Sequence, residues 1–153
     1  MFHGTERAIM YTVKHIIDKR HDPVATISPD GTVLQAAKIM NERHIGAMVV
    51  MRHDEVVGIF TQRDILNRLV APERSLTETR IRDVMTTPVA CCRRGTGETE
   101  CRALMRRKHI RHLVVVEEDR LVGVISIGDV IEDQNDEMDH TIHYLNEYMY
   151  GYR

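Results

Sequence analysis

The chain has 153 residues, 42 % of them apolar and 29 % charged, enough for a proper hydrophobic core without staples and unlike a disordered tail. Lys plus Arg number 21 and Asp plus Glu 23, so no basic excess points to nucleic acid. No apolar run reaches the roughly 18 residues of a membrane span, Met1 to Met10 has no signal-peptide core, and three cysteines (Cys91, Cys92, Cys101) suit reduced thiols in a cytoplasmic protein.

In chain order, the segment 1–12 comes first. Val24 to Ile27 then reads as a short apolar strand closed by Ser28-Pro29-Asp30-Gly31. Thr32 caps a helix to about Arg43, with Val33, Ala36, Ala37, Ile39 and Met40 at helical spacing. Ala47 to Met51 and Val56 to Phe60 form a hairpin, and Thr61 opens a helix through Val70. Residues 72–79 are polar and read as a linker. The pattern then returns: strand Val89 to Cys92, helix Gly97 to Lys108, strands His112 to Val116 and Leu121 to Ile125, helix from Ser126. The return has a constant spacing of 65 residues. Ile16 pairs with Ile81, Pro23 with Pro88, His44 with His109, Gly58 with Gly123 and Asp64 with Asp129. An acidic stretch, Glu132 to Asp139, precedes a separate final helix carrying Ile142, Leu145 and Met149. The expected architecture is α+β: two β-α-β-β-α units (13–71 and 80–136) packed with pseudo-twofold symmetry, plus a C-terminal helix over 137–153.

Two junctions concentrate the chemistry. Gly58-Ile59-Phe60-Thr61-Gln62-Arg63-Asp64 and Gly123-Val124-Ile125-Ser126-Ile127-Gly128-Asp129 each run from strand through a hydroxyl to an acid one turn into a helix. Free N–H groups at such a start suit an anion, and the carboxylate can accept from a vicinal diol. The alternative is a plain capping box. The second set is His44-Ile45-Gly46-Ala47-Met48 and His109-Ile110-Arg111-His112-Leu113, where small residues let a flat ligand near the backbone in one copy and cationic ones stand in the other. Arg102, Arg106, Arg107 and Lys108 form a basic cluster read either as a phosphate site or as a solvated face. His140 with His143, the acidic run and Gly95-Thr96-Gly97 fit no metal, calcium or P-loop pattern, and no nucleophile–base set points to an enzyme.

The repeated units with Gly-x-x-hydroxyl-x-x-Asp resemble the cystathionine β-synthase (CBS) domain, and the pair resembles the Bateman module of stand-alone bacterial signalling proteins. The resemblance covers about residues 13–135. It implies a non-catalytic sensor that binds adenosine nucleotides (AMP, ADP, ATP or an NAD-type ligand) in two clefts and signals through conformation or dimerisation. It implies one cleft of Ser126, Gly128 and Asp129 with Val24, Ala25, Gly46, Ala47 and Met48. The other would join Thr61, Arg63 and Asp64 to Val89, Ala90, Ile110, Arg111, His112 and Leu113. Asp64 and Asp129 would hold ribose diols; Arg63, Arg111 and His112 would meet phosphates. Gly128 stands in place of the Arg63 counterpart and Cys91-Cys92-Arg93 in place of Thr26-Ile27-Ser28, so the clefts are not equivalent. The other reading is an interaction homodimer with vestigial clefts. Either way a homodimer is expected, burying the second helices through Ile65, Leu66 and Leu69, with a regulated protein as possible partner and neither membrane nor nucleic acid involved.

Overall fold

The computed structural model describes residues 11–150; the N-terminal segment 1–10 lies outside the described residues. Helix α1 (Val13–Asp18) comes first. The first unit holds β1 (Thr26–Ile27), α2 (Val33–Arg43), β2 (Ala47–Arg52), β3 (Glu55–Thr61) and α3 (Gln62–Ile65), which widens into a π-type turn over Leu66–Val70. The second holds α4 (Ile81–Val84), β4 (Cys91–Cys92), α5 (Glu98–Lys108), β5 (His112–Glu117), β6 (Arg120–Ser126) and α6 (Ile127–Tyr150). Thr32 starts α2 with a reciprocal cap: its hydroxyl accepts from the Gln35 amide at 3.2 Å and its own amide donates to Gln35 Oε1 at 2.9 Å.

Each unit carries one three-stranded sheet in the order β1-β2-β3 or β4-β5-β6, with a parallel first pair and an antiparallel hairpin. Because strand side chains alternate, each sheet has two jobs. Met48, Val50 and Phe60 face the first unit's helices; Leu113, Val115 and Ile125 face the second's. The opposite faces, through Ala47, Val49, Ile59 and Val114, with Val24, Val89 and Val124 beside them, press the two sheets together. The expected single body follows from this shared layer.

The short helices are exchanged between the units. Val13 and Ile16 of α1 complete the core of the second unit, and Ile81 and Val84 of α4 complete that of the first. Backbone bonds fix the exchange: the Val13 amide donates to Thr96 O (2.9 Å), and the Ile81 amide to Gly31 O (2.9 Å). The repeated glycines make room for it. A Cβ on Gly58 would stand 2.6 Å from Met85 Sδ, and one on Gly123 2.8 Å from Ile17 Cδ1.

Two expectations are corrected, the separate last helix and the outward apolar face of the first unit's second helix. The acidic stretch does not interrupt the chain's end: α6 is one helix of 24 residues, because Glu and Asp without Gly or Pro are compatible with helix. Leu69 is not on an outer face; the wider turn rotates it into the first core, and Leu66 and Val70 are the exposed pair. Ile65 also packs against that core. All three cysteines are free, with Cys92 and Cys101 inside the second core and Cys91 exposed.

Candidate ligand cleft

Both hydroxyl-x-x-Asp junctions fold as capping boxes. The Thr61 amide donates to Asp64 Oδ2 at 2.9 Å, and the Ser126 amide to Asp129 Oδ2 at 2.7 Å. The next residue ties each helix start to the strand beside it: the Gln62 amide bonds Gly46 O at 3.0 Å, and the Ile127 amide Arg111 O at 2.9 Å. The local backbone is therefore the same twice. What meets the two carboxylates is not.

Asp64 is 6 % exposed. Besides the cap, its Oδ1 accepts from the Thr86 hydroxyl at 2.9 Å and lies 3.7 Å from Arg68 Nε. The Thr61 hydroxyl donates to Oδ2 at 3.2 Å. Arg68 in turn bonds the carbonyls of Val84 (3.0 Å) and Met85 (2.6 Å). The carboxylate is thus engaged on both oxygens, in the cap and in joining α3 to the segment after α4. Arg63 crosses to the second unit and donates to His109 O at 2.7 Å, closing the α5 end against α3.

Asp129 is more open, with 27 % of its side chain exposed. The cap and an ion pair with Arg20 both fall on its Oδ2. It lines a cavity of about 750 Å³ between the units. Its lining has an apolar part, with Val24, Ala25, Ala47 and Val124 beside Gly46 and Ser126. Lys19, Arg20, His21 and Arg43 line it too, together with the acidic Asp22. Arg20 also bonds Val124 O, and Arg43 bonds Pro23 O, so both guanidiniums are held by backbone.

The structure brings together Val24, Ala25, Gly46, Ala47, Ser126 and Asp129 as one lining. It sorts others differently. Met48 and Leu113 are fully buried with side chains in the helix–sheet cores, because strand alternation turns them away from the sheet interface. His112 is expected with Asp64 but lines the Asp129 cavity, since β5 meets the first unit next to Gly46. Burial pushes the His112 imidazole below its ordinary value; Asp129 opposes this, and Arg111 and Arg20 add to it. Val89 packs in the sheet interface, Ala90 and Ile110 against the second core, and Arg111 and Gly128 are exposed. Of the α5 basic cluster, Arg102 bonds Gln134 Oε1 of α6 at 2.8 Å, and all four side chains lie on the exposed face.

Cavity residues that the motifs do not reveal include Lys19, Arg20, His21, Asp22 and Arg43. The signal available was the basic run Lys19-Arg20-His21 just before Pro23, placed at the cleft only because α1 is exchanged. Among the described residues no cluster of three or more His, Cys, Asp or Glu has a metal-binding arrangement, and no helix is long and apolar enough to cross a membrane.

One further charged cluster sits beneath the cavity. Glu98 is 1 % and Asp133 3 % exposed, and with both ionised neither Glu98 oxygen nor Asp133 Oδ2 has a donor from the chain. Asp133 Oδ1 is ion-paired with Lys19. Burial and the facing Asp133 push the Glu98 carboxyl up to about 8, so it is protonated at neutral pH and donates to Asp133. Burial raises Asp133 too, but its bonds to Glu98 and Lys19 outweigh this and hold it below the ordinary range.

The CBS domain family model matches the chain twice, at residues 13–71 and 81–136. Two curated relatives are each 32 % identical. One is the CBS domain-containing protein YhcV of Bacillus subtilis, over 72 % of this chain and 79 % of that protein. The other is the mitochondrial CBS domain-containing protein CBSX3 of Arabidopsis thaliana, over 80 % of this chain; the chain spans only 62 % of that relative. A solved CBS-domain protein of Agrobacterium tumefaciens superposes with a TM-score of 0.76 at 31 % identity, covering 81 % of this chain and 99 % of that one. A CBS domain protein of Pyrobaculum aerophilum, solved in complex with AMP, superposes at 0.69 with 25 % identity over 78 % of this chain and 89 % of that one. With both units matched and the exchanged α+β architecture in place, the chain belongs to the CBS domain family as a tandem pair.

Proposed function

We propose that this CBS pair is a non-catalytic regulatory receptor that takes one adenine nucleotide in the Asp129 cavity. The supporting observation is a cavity of nucleotide-compatible size whose lining holds the three chemistries such a ligand needs. Apolar Val24, Ala25 and Ala47 offer a surface for a base. Asp129 keeps Oδ1 for a ribose diol, and Lys19, Arg20, His21 and Arg43 meet phosphate. The AMP complex of the Pyrobaculum relative supports the ligand class. A diol whose second hydroxyl also reaches Oδ2 displaces Arg20 from that oxygen and releases the guanidinium toward phosphate. The signal is this rearrangement, passed through α1 to the second unit, because a ligand shifts only states for which it has different affinity.

Titration calorimetry with AMP, ADP, ATP, NAD and S-adenosylmethionine tests the reading. Binding of at least one is expected, and Asp129→Ala is expected to weaken it about tenfold or more, as loss of a charge-assisted bidentate contact does. Asp64→Ala is expected to leave the affinity of the folded protein unchanged. Undiminished binding by Asp129→Ala, or binding to none of the five, overturns the proposal.

A further inference from the structure

Helix α6 runs well past the body that holds its beginning. Its buried residues are Val130 and Asp133, and from 138 to 149 every residue but the half-buried Glu147 is exposed. A helical stretch of that length without packing is marginal in water. Yet this one carries an apolar stripe: Ile131 (44 % exposed), Met138 (61 %), Ile142 (50 %), Leu145 (49 %) and Met149 (70 %). The stripe follows a seven-residue repeat. Ile131, Met138 and Leu145 occupy one seam position, and Asn135, Ile142 and Met149 the other. At 3.6 residues per turn it lies just over a quarter turn from Val130 and nearly half a turn from Asp133, so a second helix can lie alongside without displacing the body.

We propose that the occupant is α6 of a second copy of this chain, in a parallel two-stranded coiled coil over residues 131–149. Three features select it. Ile142 in the first seam position and Leu145 in the second is the combination that favours two strands. A parallel pairing sets Asn135 against its own copy, where the amides bond each other, and Gln134 and Thr141 against the partner's Asp139 and the partner's Asn146, with no like charges facing. An antiparallel pairing sets Asn135 against the partner's Leu145 and Asp139 against the partner's Asp139, burying an unpaired amide and opposing two carboxylates. A lipid surface fits poorly: α6 contains no Lys or Arg and carries seven acidic residues. The assembly does not depend on what the Asp129 cavity holds.

The test uses the full chain. Sedimentation is expected to show a dimer, and Ile142→Glu with Leu145→Glu to raise its dissociation constant about tenfold or more, since both side chains would lie in the dry seam. A cooperative thermal unfolding transition and unchanged AMP calorimetry are expected for the same variant, separating loss of pairing from loss of fold and from failure of the ligand reading. Met149→Cys in a Cys91→Ser background, oxidised with glutathione disulfide, is expected to give a covalent dimer, because only the parallel register brings residue 149 beside its own copy. A monomeric wild type, a charge variant that dimerises as tightly as the wild type, absence of the cross-link in the Met149→Cys variant, or capture of α6 by anionic vesicles instead overturns the proposal.

Discussion

Asp64 and Asp129 begin from the same sequence pattern and the same capping box, and end in different environments. Asp64 meets Thr86 and Arg68; Asp129 meets Arg20 and a cavity. A second contrast lies behind them. The first unit buries Val33 and Val84 where the second has Glu98 and Lys19, and Arg68 of the first corresponds to Asp133 of the second. Duplication has thus preserved the backbone while one half became a closed, apolar support and the other a charged, open site. A motif decides where a side chain starts, and the neighbours supplied by the exchanged segments decide what it can do.

The largest effect expected from breaking this contrast is at Asp64. Asp64→Ala removes a buried carboxylate on which the half-buried Thr61 amide and Thr86 hydroxyl depend, with Arg68 beside it, and is expected to cost about 3 kcal/mol in urea unfolding. Asp129→Ala loses mainly a cap at a water-accessible site, and about 1 kcal/mol is expected. Equal costs would show that the two junctions are structurally alike after all.

The buried carboxyl pair comes next. Glu98 has an ordinary value of 4.5 and a folded value of about 8. Between these the folded protein holds a proton that the unfolded chain has released, so unfolding free energy falls as pH rises from about 4.5 to about 8. Asp133, lowered, acts oppositely: its contribution is present above its ordinary value of 3.8 and lost as acid protonates it. Glu98→Val, which copies Val33 of the first unit, is expected to flatten the slope. Denaturant midpoints across pH measure the slope; a variant as steep as the wild type would remove Glu98 from the account.

The smallest expected difference concerns the glycines. Gly58→Ala meets three atoms of Met85 within 3.3 Å, whereas Gly123→Ala meets only the terminal methyl of Ile17. Costs of about 2 and about 1 kcal/mol are expected by thermal unfolding, in that order. The reverse order would mean that the α1 contact is the tighter of the two.

Most of the fold is legible because its signals are local and occur twice. Strand alternation, the Thr32 cap and the helix starts at Thr61 and Ser126 need only neighbouring residues. The exchange of α1 and α4 is not legible, since a constant spacing identifies copies without saying on which copy a segment packs. That one gap explains the site residues that fall elsewhere. Lys19 and Arg20 reach the Asp129 cavity only through the exchange, and Thr86 reaches Asp64 the same way while lying outside the motif. His112 falls in the other cleft for a related reason: its partner across the sheet interface is Gly46 of the other unit. The continuous α6 escapes a sequence reading because a run of acids resembles a break, although nothing in it opposes helix.

The crossed placement of α1 and α4 makes each half hostage to the other. A nick in the segment 72–79 would leave two fragments, each carrying the missing plug of its sibling's hydrophobic interior, and neither would be a self-sufficient domain. Trimming away one half would therefore leave the other with an open interior.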